Sequence, residues 1–157
     1  MDLFIPDPLD YAWVTPRLAV GTAISSDENM QQLAADGVTH VLGLEHDFND
    51  HTIVGDTPIT VCWLPQPDDF RPKPPEWFEQ GVTFIKEALS KDGTRVYVHC
   101  LAGIQRSPTM VMAFLGAEGM PLDKAVSLIR GVRPVAQLPG PYFQSVERFL
   151  QQRSARP

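Results

Sequence analysis

Cysteine is scarce in this chain: two in 157 residues, too few for a disulfide framework, which excludes a small secreted scaffold held by bridges. Long hydrophobic runs are missing too, and no apolar stretch approaches the length that crosses a bilayer. Positive charge is thin. Thirteen Lys and Arg face nineteen Asp and Glu, for a formal net charge of −6, and the basic residues are scattered, which argues against a nucleic-acid-binding surface. No second Cys or His pair stands at zinc-ligand spacing, so no metal is expected. No Gly-Lys-Ser/Thr is present, which excludes a nucleotide-binding P-loop. Repeats and low-complexity segments are absent. The opening "MDLFIPDPLDY" carries acids and prolines where a secretory signal would show basic residues and a long apolar stretch. The expected location is cytoplasmic, with no membrane and no nucleic acid among the partners.

What is present is an ordinary globular composition, 43% hydrophobic and 20% charged, in a length that suits one domain with its own core. Residues 1–157 are read as a single domain with 11–152 as its folded core. "RLAVGT" (17–22), "VTHVLGLE" (38–45), "ITVCWLP" (59–65) and "RVYVHC" (95–100) are apolar, β-branched runs of strand length. "SSDENMQQLAADG" reads as a helix, with Ser25 and Glu28 as a capping box and Gly37 as its stop. Pro75 opens an amphipathic helix with Phe78, Val82, Ile85 and Leu89 on one stripe. From Ser107 a helix apolar on nearly every side points to a central, buried position. "PLDKAVSLIRGV" and "PYFQSVERFLQQ" are two more amphipathic helices. Strands alternating with helices, then helices alone, predict an α/β domain: a mostly parallel sheet of about four to five strands flanked by helices. Ligands of such sheets bind beyond the carboxyl ends of the strands.

Cys100 stands at one of those ends, in "VYVHCLAGIQRSPTM" (96–110). A strand, a tight loop and a buried helix in succession aim a helix N-terminus at the loop, where backbone N–H groups lack intrahelical partners. Small residues such as Ala102 and Gly103 let the loop wrap its amides around a tetrahedral anion. Arg106, on the first turn, can close this cup with a guanidinium fork that matches phosphate. A cysteine at the bottom becomes a nucleophile beneath a phosphoanion, since surroundings of this kind lower a thiol pKa from about 8.5 to roughly 3.5–7.5.

"HCLAGIQRS" (99–107) matches the His-Cys-x5-Arg-Ser/Thr signature of the cysteine-dependent protein tyrosine phosphatases and most resembles the dual-specificity branch. The likeness extends along most of the chain, from "TPRLAVGTAISSDENMQQLAADGVTHVLGLE" to "LIRGVRPVAQLPGPYFQSVERFL". The resemblance implies that Cys100 attacks phosphorus and forms a cysteinyl-phosphate. Arg106 and the amides of Leu101, Ala102, Gly103, Ile104 and Gln105 would hold the phosphate oxygens. Ser107 would help Cys100 leave, and His99 would organise the loop and assist the thiolate. No cofactor is implied. The family also supplies an acid from a loop ahead of the catalytic strand. "WLPQPDDFRPKPP" (63–75) occupies that place with its residues in an altered order. The resemblance favours Asp69 as acid, with the adjacent Asp68 as the alternative.

The implied function is dephosphorylation of phosphotyrosine and phosphoserine/threonine in a protein or peptide partner, by a monomer. Two alternatives stand beside it: the same chemistry on a lipid, carbohydrate, RNA or nucleotide phosphate, and a non-catalytic phosphate-binding module. Cys62, Trp77, the remaining histidines (His40, His46, His51) and the methionines read as packing or surface residues. Arg133 is read either as a support beneath the site or as a solvent-facing residue.

Overall fold

β-Branched runs cut by prolines and glycines form five short strands and five α-helices in the computed structural model, which describes residues 8–156. The first seven residues, on which the expectation of a cytoplasmic location leans, lie outside this range. No described helix is long and apolar enough to cross a membrane.

The strands are β1 (Tyr11–Thr15), β2 (Leu18–Gly21), β3 (His40–Gly43), β4 (Thr60–Trp63) and β5 (Val96–His99), in the order β1-β2-β5-β3-β4. β2, β5, β3 and β4 run parallel, and β1 turns back onto β2 as an antiparallel edge. β1 escapes the sequence reading, because "YAWVT" is short and amphipathic. Tertiary contacts hold it: Tyr11 meets the buried Tyr97 edge-on at 5.4 Å, and the Arg95 guanidinium lies 4.0 Å from the Trp13 ring centroid.

Strand residues alternate between two faces. Leu18, Val20, Leu42, Val96 and Val98 enter the larger core, while Ala19, Val41 and Tyr97 enter the smaller one. Helix α1 (Asp27–Ala35) covers the smaller core with Met30 and Leu33. Its cap falls one residue later than the expected Ser25–Glu28 box. Ser26 Oγ accepts the Asn29 N–H at 3.1 Å, and Asn29 Oδ1 accepts in return from the Ser25 N–H at 3.3 Å.

Helices α2 (Pro75–Leu89), α3 (Arg106–Ala117), α4 (Leu122–Val132) and α5 (Gly140–Ser154) share the larger core. α3 is its central rod, buried without interruption from Arg106 to Leu115. That position explains its lack of a polar face and aims its N-terminus at the carboxyl edge of the sheet.

Candidate active site

The loop from Cys100 to Gln105 joins β5 to α3, and its outward-facing carbonyls are held one after another. Leu101 O accepts from the Ala23 N–H at 3.0 Å, and Ile104 O from the Gln137 N–H at 2.7 Å. Between them, the Arg133 guanidinium donates from Nη2 to Ala102 O at 3.1 Å and from Nε to Gly103 O at 2.6 Å. Every described peptide bond is trans, so N–H and C=O of one unit point in opposite directions. Four carbonyls drawn outward therefore turn the N–H groups of Ala102 to Gln105 toward the concave side. Gly103 has φ +67°, and a Cβ there would lie 2.6 Å from Gly21 O and 2.8 Å from Arg133 Nη2. No other residue suits this position.

Cys100 is 2% exposed at the base of the cup, with Sγ 3.3 Å from Ser107 Oγ. Arg106 is buried at the first position of α3. Its Nη1 donates to Gln66 O at 2.8 Å, and its buried Nε has no partner among the described residues. An oxyanion in the cup would supply that partner. Together these groups place a thiol, a hydroxyl, a guanidinium and the loop amides at one end of the cleft.

His99 is fully buried behind the cysteine. Its Nδ1 lies 3.2 Å from Cys100 O and 3.9 Å from Glu45 Oε2, and Nε2 makes a close hydrogen bond to Asp50 Oδ2. Both ring nitrogens face only acceptors, which requires both to carry protons. Burial by itself disfavours the imidazolium, but the hydrogen bond and charge of Asp50, with the Cys100 carbonyl and Glu45, outweigh it and raise the His99 pKa. Burial pushes the Glu45 carboxyl up as well. Donor atoms of Glu45, Asp50 and His99 lie within 4.8 Å of one another, close enough to hold a cation. A doubly protonated ring has no lone pair for a metal, so the cluster reads as a charge-paired histidine. Space for it comes from Gly43, where a Cβ would sit 2.5 Å from Asp50 Oδ2.

The two candidate acids part ways. Asp69 is drawn off the cup: its Oδ1 accepts from Lys73 Nζ at 2.9 Å and from the Arg71 N–H at 3.0 Å. The Lys73 hydrogen bond, then the Arg71 amide, hold the Asp69 carboxyl below the usual 3.8. Asp68 instead lines a cleft of about 260 Å³ together with Cys100, Leu101, Ala102, Ile104, Gln105, Arg106 and Gln137. Its Oδ1 accepts from the Tyr142 hydroxyl at 2.7 Å. The Gln105 carboxamide, assigned with its NH2 toward acceptors, donates to the same oxygen at 3.0 Å. The sequence expectation for Asp69 and the observed geometry therefore differ by one residue, because each loop carboxylate turns to its nearest donor.

Asp50, Glu45, Lys73 and Tyr142 were not singled out from the sequence. Asp50 lies in a stretch that reads as polar loop, and Tyr142 falls in an ordinary amphipathic helix; neither position carries a local signal. Of the two readings of Arg133, the structure shows the support beneath the site. Trp77 is buried and also ties α2 to the acid loop, donating from Nε1 to Leu64 O at 2.9 Å. Cys62 is half-buried with its thiol pKa raised by burial.

A strand-end cysteine under an amide cup closed by an arginine defines a site of the cysteine-dependent phosphatase class. The model of the dual specificity phosphatase catalytic domain matches residues 21–152, and the chain belongs to that family. Dual specificity protein phosphatase 2 of Mus musculus is 30% identical over 139 residues, 88% of this chain and 41% of the relative. Dual specificity protein phosphatase 22 of Xenopus tropicalis is 30% identical over 137 residues, 87% of this chain and 63% of the relative. The chain thus spans less than two thirds of these relatives. Among solved structures, PTPMT1 in complex with PI(5)P superposes with a TM-score of 0.84 at 21% identity, covering 93% of this chain and 97% of that one. DUSP15 superposes with a TM-score of 0.79 at 25% identity, covering 92% and 90%.

Proposed function

We propose that this chain hydrolyses phosphate monoesters on proteins, taking phosphotyrosine and phosphoserine/threonine through a cysteinyl-phosphate intermediate. The observation that carries this reading is Cys100 Sγ, buried beneath a loop whose carbonyls are all drawn away and beside a guanidinium with an unpartnered Nε. The Cys100 thiolate attacks phosphorus in line, forming the S–P bond as the bond to the leaving oxygen breaks. Arg106 and the loop amides bind the three equatorial oxygens and stabilise the charge of the transition state. Asp68, the carboxylate on the cleft, protonates the leaving oxygen, in place of the Asp69 favoured by the sequence. In the second step Asp68 takes a proton from the attacking water, and Ser107 donates toward the departing sulfur. His99, held by Asp50, places positive charge behind the nucleophile.

The cleft also supports the choice of substrate. Of its lining residues only Arg106 is cationic; Leu101, Ala102, Ile104, Gln105 and Gln137 are neutral. One guanidinium balances one phosphoryl group and offers nothing to a second, as a polyphosphorylated lipid headgroup would need. The likeness to PTPMT1, crystallised with PI(5)P, is one of fold at 21% identity.

The test is a turnover panel of phosphotyrosine and phosphothreonine peptides, an inositol phospholipid, a phosphoglycan and a nucleotide, with Cys100→Ser as control. Both peptides are expected to be hydrolysed faster than the other substrates, and the control to be inactive. Activity that survives in the control overturns the mechanism; a preference for the lipid, glycan or nucleotide overturns the substrate reading.

A further inference from the structure

We propose that Tyr142 is the positioning residue that holds the acid loop over the cup and aims Asp68 for proton donation. This rests on the reading of Asp68 as the acid. Helix α5 is anchored in the core through Val146 and Phe149, and from that fixed base it grips the loop at several points. The Tyr142 hydroxyl donates to Asp68 Oδ1 at 2.7 Å and accepts the Phe70 N–H at 3.1 Å. The Phe70 ring stacks on the Tyr142 ring, with centroids 6.2 Å apart and planes 18° from parallel. Lys73 Nζ lies 5.2 Å from the same ring centroid, and the Lys73 N–H donates to Ser145 Oγ at 2.9 Å.

Two features show that this grip does work on the loop. Phe70 has φ +60°, a left-handed conformation that costs a bulky residue energy and persists only when its surroundings enforce it. Those surroundings are the Tyr142 hydroxyl on its amide and the Tyr142 ring on its side chain. Lys73, itself 3% exposed, is the second feature. It spends its ammonium on Asp69 and the Pro67 carbonyl, which draws the neighbouring carboxylate away and leaves Asp68 as the one facing the cleft. Burial and the Asp68 carboxylate push the Tyr142 pKa up to about 12, so the hydroxyl proton is present to donate throughout the neutral range. A phenylalanine here would keep the stack and the cation contact but would release both Asp68 and the Phe70 amide.

Tyr142→Phe is therefore the test, because it removes the hydroxyl alone. kcat/KM is measured for aryl phosphates of graded leaving-group pKa and for a phosphothreonine peptide, with Asp68→Asn alongside and thermal melts to verify folding. General acid catalysis contributes about 10²–10⁴-fold where the leaving group is poor and little where it is good. Asp68→Asn is expected to steepen the leaving-group dependence by that range. Tyr142→Phe is expected to steepen it in the same direction, with about a tenfold loss on the peptide and almost none on nitrophenyl phosphate. An equal loss on every substrate, or no loss, with Asp68→Asn still steep, overturns the positioning role and leaves the acid assignment standing. A flat response in Asp68→Asn overturns both.

Discussion

The two segments that face each other across the cleft are built in opposite ways. The phosphate cup is local in sequence: Cys100, its amides, Arg106 and Ser107 fall within eight consecutive residues between one strand and one helix, and distant groups, Arg133 foremost, only brace its carbonyls. The acid loop is assembled from a distance. Its carboxylate is oriented by Tyr142, 74 positions away in sequence, and its backbone by Ser145, 72 positions from Lys73. A local motif tolerates little substitution within itself, whereas a loop held at long range is sensitive to residues that look incidental. Cup and loop are also supported differently. Cationic groups sit beneath the cup, at Arg133 and His99, while an aromatic and hydroxyl platform underlies the loop.

Removing the charge behind the cup should have the largest effect on stability. Asp50→Asn strips the counter-ion from a fully buried imidazolium, and breaking such a pair costs roughly 3–5 kcal/mol. The pH dependence follows from the direction of the shift. The folded state raises the His99 pKa above its ordinary 6.5, so the stability it contributes is complete below 6.5 and is lost as pH rises through the folded value. Melting temperatures across pH 5–9 should show this decline in the parent chain, and Asp50→Asn should flatten it. A decline that persists unchanged in the variant would remove Asp50 from the account.

Arg133→Met comes next. It leaves the carbonyls of Ala102 and Gly103 without their donor, at about 1–3 kcal/mol, and frees the peptide units that present the amides. Affinity for an inorganic oxyanion such as vanadate should fall about tenfold or more, with Cys100 still in place. Unaltered vanadate binding in a correctly folded Arg133→Met would show that the cup supports itself.

The smallest effect belongs to Asp69, the carboxylate beside the proposed acid. The folded state depresses the Asp69 pKa below 3.8, so its contribution is present above that value and fades as pH falls through the folded one. Because Asp69 is partly solvated, Asp69→Asn should cost of order 1 kcal/mol near neutrality and remove part of the acid lability. Its peptide dephosphorylation rate should stay within a few-fold of the parent. A collapse of activity in Asp69→Asn, with Asp68→Asn unaffected, would reverse the roles of the two aspartates.

The same contrast explains how far the site was legible in advance. Cys100, Arg106, Ser107 and the loop residues could be located from a contiguous motif because strand, loop and helix constrain one another over a few bonds. The helices were legible from their apolar stripes and the parallel strands from β-branched runs, whereas β1 needed the Arg95 and Tyr97 contacts of its neighbours. The choice between Asp68 and Asp69 could not be read. Both side chains sit in the same proline-rich run; Asp69 turns to Lys73 and the Arg71 amide within that loop, whereas Asp68 is oriented by Tyr142 on α5.

The sequence by itself determined a mostly parallel α/β sheet with a cysteine and an arginine at one carboxyl edge, since periodicity and a nine-residue signature are properties of local chain chemistry. Only the tertiary structure decided which aspartate faces the cleft, which carboxylates charge the histidine and which arginine braces the cup. Those pairings join groups far apart in the chain that only the fold brings together, and where burial excludes water, as at His99 and Arg133, a group left unpaired would carry its full desolvation cost.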